Sequence, residues 1–198
     1  MKNKVLIVNF SLRENSQSHK VGEYLKKQWG KNAVHLDYIK LDIPMWDESI
    51  GKPNSKWIEG YTQLQTKLKE ADGYIFVVPE YNGSASPAFS NFVLMLGVES
   101  NHKAALIVTV SASRGGAYPV SNLRAFGSKN NKINFIPEHI IVRDANDMLK
   151  ANVVGLTMDD QYLRSRIEYT LDILNYYITA SRYVREKVVF EPKFGNGM

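Results

Sequence analysis

Three uninterrupted apolar runs, "KVLIVNF" (Lys4 to Phe10), "GYIFVV" (Gly73 to Val78) and "AALIVTVS" (Ala104 to Ser111), constrain this chain more than any other feature. They are rich in β-branched residues and carry no polar alternation, as strands covered on both faces must be. "AVHLDYIKL" (Ala33 to Leu41) alternates more and "EHIIVRD" (Glu138 to Asp144) is shorter, so both belong nearer the sheet edges. Helical spacing fills the gaps: Gln17 to Trp29, Lys56 to Ala71, Pro87 to Val98, Pro119 to Phe126 and a long terminal Asp159 to Tyr183. Strict alternation of strand and helix predicts an α/β fold, a five-stranded parallel sheet with helices on both faces in three layers, joined by right-handed crossovers. Ligands of such sheets bind beyond the carboxyl ends of the strands, where strand order reverses. The loops after the first, third and fourth strands are therefore the ones to read for function.

After the first strand, Ser11, Arg13, Ser16, Gln17 and Ser18 crowd the turn into a helix. Unpaired N–H groups and the positive end of the helix dipole face an anion there, and hydroxyls and a guanidinium add donors. Ser16 or Ser18 could instead be a plain N-cap. The glycine pattern G-x-G-x-x-G of a dinucleotide turn is absent, as is a P-loop, so the loop suits a terminal monophosphate such as that of FMN. After the third run, "VVPEYNGSASPAF" places Pro79 where it is expected to end the ladder, Asn82-Gly83 as a turn and Pro87 at a helix start. A simple βα turn accounts for Gly83 and Pro87. Glu80, Tyr81 and Asn82 fit better to a planar heterocycle, which needs an aromatic surface and polar groups for its edge. In "SASRGGAYPVSNLR", Ser111 and Ser113 offer donors and Gly115 and Gly116 allow close backbone approach.

Other chemistries find little support. The chain of 198 residues has no cysteine, which removes disulfides, thiolate metal sites and cysteine nucleophiles. A net charge of +5 comes from scattered lysines and makes no nucleic-acid stripe. No apolar run reaches the ~20 residues a membrane helix needs, and the amino terminus reads as a strand without a signal-cleavage site, so a cytoplasmic protein is expected. His19, His35, His102 and His139 are isolated in sequence, and no metal site is expected from them. No G-x-S-x-G elbow is present, and the adjacent acids of "MDDQ" (Met158 to Gln161), which could mimic an acidic metal pair, are expected at a helix start from the dipole; with a flavin to carry the chemistry, no catalytic side chain is expected.

At these three loops the sequence resembles the NADPH-dependent FMN reductase family, a flavodoxin-like group that includes quinone, azo-dye and chromate reductases. "PEYNGS" (Pro79 to Ser84) with Asn91 carries the resemblance most specifically, followed by "SLRENSQS" (Ser11 to Ser18), then Gly115, Gly116, Leu123 and Arg124. It departs from the family where Ser86-Pro87 and Leu94-Met95 stand in place of a Pro-Gly and an Asp-Trp pair. The resemblance implies one flavodoxin-like FMN-binding domain over residues 1–198, with 184–198 a tail or a short strand at "KVVF". It implies an FMN phosphate on Ser11, Arg13, Ser16 and Ser18, and the isoalloxazine against Pro79, Glu80, Tyr81, Asn82, Gly83 and the Ser111 to Gly116 loop. It further implies ping-pong hydride transfer from NADPH or NADH through the flavin to a small electron acceptor. The alternative is a flavodoxin-type electron carrier without nicotinamide binding, against which Arg13 and the net positive charge argue. On the terminal helix Leu163, Ile167, Leu171, Leu174 and Ile178 form a stripe that reads as core, while Tyr162, Tyr169, Ile173 and Tyr176 form a second that either widens the buried face or meets another copy; with an apolar third helix and the resemblance to a family whose members are often dimers, a homodimer is expected.

Overall fold

The computed structural model describes residues 2–50, 52, 58–152, 154–189 and 191–195. Strands β1 (Val5–Asn9), β2 (Ala33–Asp37), β3 (Gly73–Tyr81), β4 (Ser84–Ala85), β5 (Ala104–Val110) and β6 (Asn134–Val142) alternate with α1 (Gln17–Trp29), α2 (Ile58–Glu70), α3 (Pro87–Met95), α4 (Ala117–Phe126) and α5 (Met158–Lys187). The sheet runs β2-β1-β3-β5-β6, all parallel, with β4 added antiparallel to β3. The expected flavodoxin-like architecture is therefore present, with β2 and β6 at the edges.

Each apolar run feeds both faces because side chains alternate along a strand. Leu6 and Val8 of β1 join Tyr74, Phe76, Phe89, Phe92 and Leu123 in one core beneath α2, α3 and α4. Val5 and Ile7 join Leu25, Trp29, Leu171, Leu174 and Ile178 in the other, beneath α1 and α5. The first α5 stripe is thus core. The second stripe is split: Ile173 is partly buried against this core, while Tyr162, Tyr169 and Tyr176 are exposed.

Several boundaries differ from expectation. β3 runs through Pro79 to Tyr81, and Pro79 pairs with Val110 of β5. Phe10 N–H donates to Val77 O, so by two-residue alternation the nitrogen of Pro79 also faces β1's side, beyond the last β1 pair at Asn9 and Val77. A proline costs no ladder bond there. β2 stops at Asp37 and a 3₁₀ turn takes Tyr38–Leu41, while β6 begins at Asn134, ahead of the Glu138 expected. α3 ends at Met95, α4 begins at Ala117, and α5 extends to Lys187, so no strand forms over Lys187 to Val189. Lys56 and Trp57, expected to begin the second helix, and Phe190 of "KVVF" lie outside the described residues. Among the described residues no helix is long and apolar enough to cross a membrane.

Candidate flavin site at the carboxyl edge of the sheet

β1 ends in Asn9, a buried side chain whose Oδ1 accepts Ser11 N–H at 3.1 Å and shapes the turn that follows. Ser11 Oγ accepts Arg13 N–H at 3.2 Å and shares a hydrogen bond of 3.0 Å with the Tyr81 hydroxyl. That hydroxyl also accepts Leu12 N–H at 3.2 Å, and the exposed Arg13 guanidinium lies 5.6 Å from the Tyr81 ring centre. Ser16 is the N-cap of α1, its Oγ accepting His19 N–H at 3.0 Å. The capping reading therefore holds for Ser16, while the first N–H groups of α1, from Gln17 and Ser18, stand at the positive end of the helix. Ser18 is buried, and the Gln17 amide reaches Asn146 Oδ1 at 2.8 Å beyond β6.

The stretch after Pro79 forms a two-residue hairpin. Asn82 and Gly83 both have positive φ, 50° and 72°, the conformation of a type I′ turn, and β4 pairs back so that Glu80 faces Ala85 and Tyr81 faces Ser84. Asn122 of α4 steadies this hairpin by accepting from Ser84 Oγ and Ala85 N, both at 3.2 Å. Glu80 points to the next loop, where its Oε2 accepts Gly116 N–H at 2.7 Å. The approach requires glycine: a Cβ on Gly115 would lie 1.9 Å from Glu80 Oε2 and 3.1 Å from Ser111 Oγ. Gly116 has φ 96° and caps α4, its carbonyl accepting from Thr109 Oγ1 at 2.7 Å. Ser111 Oγ accepts Ser113 N–H at 3.4 Å, and Ser113 O accepts Asp144 N–H at 2.9 Å.

The loops after β1, β3 and β5 are thus tied in a row by Tyr81 and Glu80, with hydroxyls, a guanidinium and helix-start N–H groups on one side and glycine backbone on the other. That donor set suits a phosphate, and the close backbone suits the edge of a flat ring. Two residues of the recognised motifs do other work. Asn91 is buried and holds the chain beyond the 3₁₀ turn, with Oδ1 accepting Trp46 N–H at 2.7 Å and Nδ2 donating to Tyr38 OH and Pro44 O. Arg124 caps β6 backbone at Ile136 O and Pro137 O.

Sequence reading missed Asn9, although a polar residue closing the apolar run "VLIVN" is a visible signal, and it missed Asn122, which carries none. A cavity of about 500 Å³ between β6 and α5, bordered by Arg114, His139, Arg143, Tyr162 and Arg166, was also not foreseen. Two histidines expected to be isolated are not: the rings of His19 and His35 lie 5.2 Å apart beside Asp37. Burial works against the Asp37 carboxylate, but hydrogen bonds from Asn9, His19 and Lys40 outweigh it and hold its pKa at about 2. Burial pushes the His35 imidazole below its ordinary value, against a hydrogen bond to Glu23.

Comparison with known proteins identifies the family and the fold. The sequence profile of the NADPH-dependent FMN reductase family matches residues 3–147. An NAD(P)H-dependent FMN reductase of Schizosaccharomyces pombe is 31% identical over 121 residues, 57% of this chain and 60% of the yeast protein's length. An NADPH azoreductase of a Bacillus species is 25% identical over 141 residues, 70% of this chain and 76% of its own. Among solved structures, the flavoenzyme NAD(P)H:(acceptor) oxidoreductase FerB of Paracoccus denitrificans shares the fold with a TM-score of 0.73 at 18% identity, covering 90% of this chain and 98% of FerB. An FMN-dependent NADH-azoreductase of Bacillus anthracis in complex with FMN does so at 0.53 and 16% identity, covering 87% of this chain and all of that one (100%).

Proposed function

This chain belongs to the NADPH-dependent FMN reductase family, and from that premise we propose that it is an FMN-dependent NAD(P)H oxidoreductase acting on small acceptors in the cytoplasm. The observation that carries the reading is the joining of three loops at the carboxyl edge by the Tyr81 hydroxyl on Ser11 and Leu12 and the Glu80 carboxylate on Gly116. Ser11, Arg13 and the α1 start at Gln17 and Ser18 would hold the phosphate, with Ser16 keeping that helix start in place. Pro79 to Gly83 and Ser111 to Gly116 would hold the ring. The fit rests on the donor set and on Gly115, since any side chain there would run into Glu80.

FMN held there would supply the redox chemistry, hydride transfer from a nicotinamide and onward delivery of the electrons. The chain's own task is orientation. Glu80 fixes the Gly115-Gly116 backbone, Asn122 fixes the hairpin, and Arg13 neutralises the anion, so no side-chain acid or base is assigned. The reading includes ping-pong turnover, in which the nicotinamide leaves before a quinone, azo compound, free flavin or metal oxyanion enters the same crevice. It also includes a homodimer, supported by the exposed Leu94 and Val98 at and beyond the end of α3.

The purified protein is expected to show the absorbance bands of oxidised flavin and to lose them in stopped flow on mixing with NADPH or NADH. Flavin that neither nucleotide reduces would leave an electron carrier; no flavin at all, with no quenching of added FMN, would end the reading. Light scattering at micromolar concentration checks the dimer, and a monomeric mass contradicts it.

A further inference from the structure

One buried nitrogen in the described structure has no hydrogen-bond partner although it lies within a cluster of metal-ligating side chains. His35 sits on the edge strand β2 under α1, its side chain only 2% exposed. Its Nδ1 is 2.5 Å from Glu23 Oε1, and since a carboxylate can only accept, Nδ1 carries the proton. Nε2 of the neutral ring is then a bare lone pair, and it is buried without a hydrogen-bond partner. Facing it at 3.7 Å is Asp37 Oδ1, another acceptor. The separation is too long for a hydrogen bond, and Asp37 Oδ1 takes its own donors from Asn9 Nδ2 at 2.8 Å and from His19, which leaves Nε2 facing an acceptor with no donor of its own. His19 completes the group, with Nδ1 at 3.0 and 2.9 Å from the two Asp37 oxygens.

We propose that His19, His35 and Asp37 form a binding site for a divalent transition-metal ion of the zinc class, adjoining the Arg13 side of the candidate phosphate turn but using none of the side chains assigned to the flavin. The three ligand atoms lie within 4.8 Å of one another. An ion at the usual ~2.0–2.1 Å from nitrogen and oxygen spans pairs roughly 3–3.7 Å apart at ordinary ligand angles, the separations Asp37 already has from His19 Nδ1 (2.9 Å) and His35 Nε2 (3.7 Å), so closing the site is a matter of drawing the two imidazoles together. Two imidazoles and one carboxylate select zinc, cobalt, nickel or copper over magnesium and calcium, which prefer all-oxygen shells. Glu23 already stands where an outer-shell carboxylate belongs, accepting from the non-ligating nitrogen of His35 and fixing its tautomer. Gly22 leaves room for the ring: a Cβ there would lie 2.3 Å from His35 Nε2.

Binding through Nδ1 requires the neutral His19 ring to take the tautomer with its proton on Nε2, and it moves Lys40, whose Nζ is 3.0 Å from Asp37 Oδ2 but whose side chain is 74% exposed and able to swing out. The fourth position opens on a cavity bordered by Arg13, Glu14, Asn15 and Lys40, where water completes the shell.

The test is titration of chelator-treated protein with Zn²⁺, followed by calorimetry and thermal melting, and with Co²⁺, followed by its visible ligand-field bands, with Mg²⁺ as control. One equivalent of Zn²⁺ is expected, with a raised Tm and cobalt bands of a four- or five-coordinate site; Mg²⁺ is expected to do neither. His19→Gln, at a partly exposed ring that leaves the core untouched, is expected to lower zinc affinity at least tenfold, and Glu23→Gln by about tenfold, the scale of outer-shell changes. Circular dichroism checks that both variants keep the wild-type fold. No uptake of Zn²⁺ by wild-type protein, or uptake undiminished in folded His19→Gln, overturns the proposal and leaves a bridging water between Nε2 and Asp37. Flavin content does not enter these readouts.

Discussion

The two edges of the parallel sheet use the same polar residue types to opposite ends. At the amino edge, polar side chains close on backbone. Asp72 accepts Lys4 N–H at 2.8 Å while Asp72 N–H returns to Lys4 O at 2.8 Å, locking the starts of β1 and β3 together. Lys103 is buried before β5 and donates to Leu68 O at 2.6 Å, a cation on the carboxyl end of α2 where the helix dipole favours it. Trp29 Nε1 donates to Asn3 O at 2.9 Å. At the carboxyl edge, polar side chains tie one loop to another and leave donors facing outward: Tyr81 reaches the β1 loop, Glu80 the β5 loop, and Arg13 and the α1 start remain available for a ligand. A polar group at a strand end is thus structural where it meets backbone of its own layer, and a site candidate where it organises neighbouring loops.

This contrast can be broken most severely at Gly115. Gly115→Ala drives a Cβ into Glu80 Oε2, which can swing away, so stability should hardly change while the Glu80 bond to Gly116 is lost. FMN binding, read by fluorescence quenching, is expected to weaken 10- to 100-fold, about the ~1.5–3 kcal/mol of a charge-assisted hydrogen bond. Arg13→Ala sharpens the assignment within the carboxyl edge: FMN affinity should fall about tenfold while riboflavin affinity stays level, since only FMN carries the anion. Equal losses for both ligands would move the phosphate elsewhere. Tyr81→Phe removes the hydroxyl shared by Ser11 and Leu12 and should cost about fivefold in FMN affinity, on the order of 1 kcal/mol.

The amino edge answers to pH instead of ligand. Burial depresses the Lys103 ammonium to about 8 from 10.5. Between those values the unfolded chain holds a proton the folded one has lost, so stability rises with pH through that window and is lower below it. Melting scans should show Tm climbing about 2–4 °C from pH 8 towards 10, the change that ~1 kcal/mol gives in a chain this size. Lys103→Met should abolish that climb without changing FMN affinity, and a climb that persists would assign it to other groups.

Much of the fold was legible because its signals are local. β-branched runs marked β1, β3 and β5, and the greater alternation of Ala33 to Leu41 correctly placed β2 at an edge. Where boundaries slipped, a local rule met a tertiary exception. Pro79 ends a strand in isolation, yet here its missing N–H faces a side that β1 has already left, so β3 continues. In the candidate site, the hydroxyl-rich turn and Asn82-Gly83 could be read directly, but their partners could not. That Glu80 serves Gly116, 36 positions on, or that Asn91 braces Trp46, follows from loops meeting across the sheet edge.

By itself the sequence determined a doubly covered parallel sheet and the turn chemistry of the loops at its carboxyl edge, because periodicity and backbone preference act over a few residues. Only the tertiary structure decided which loops are bridged, and which distant side chains converge. His19 and Asp37 are 18 positions apart and meet because the crossover between two parallel strands lays α1 against β2 and sets the end of β2 beside β1. No spacing rule along the chain encodes that meeting, since it depends on the packing of a whole helix on a whole sheet.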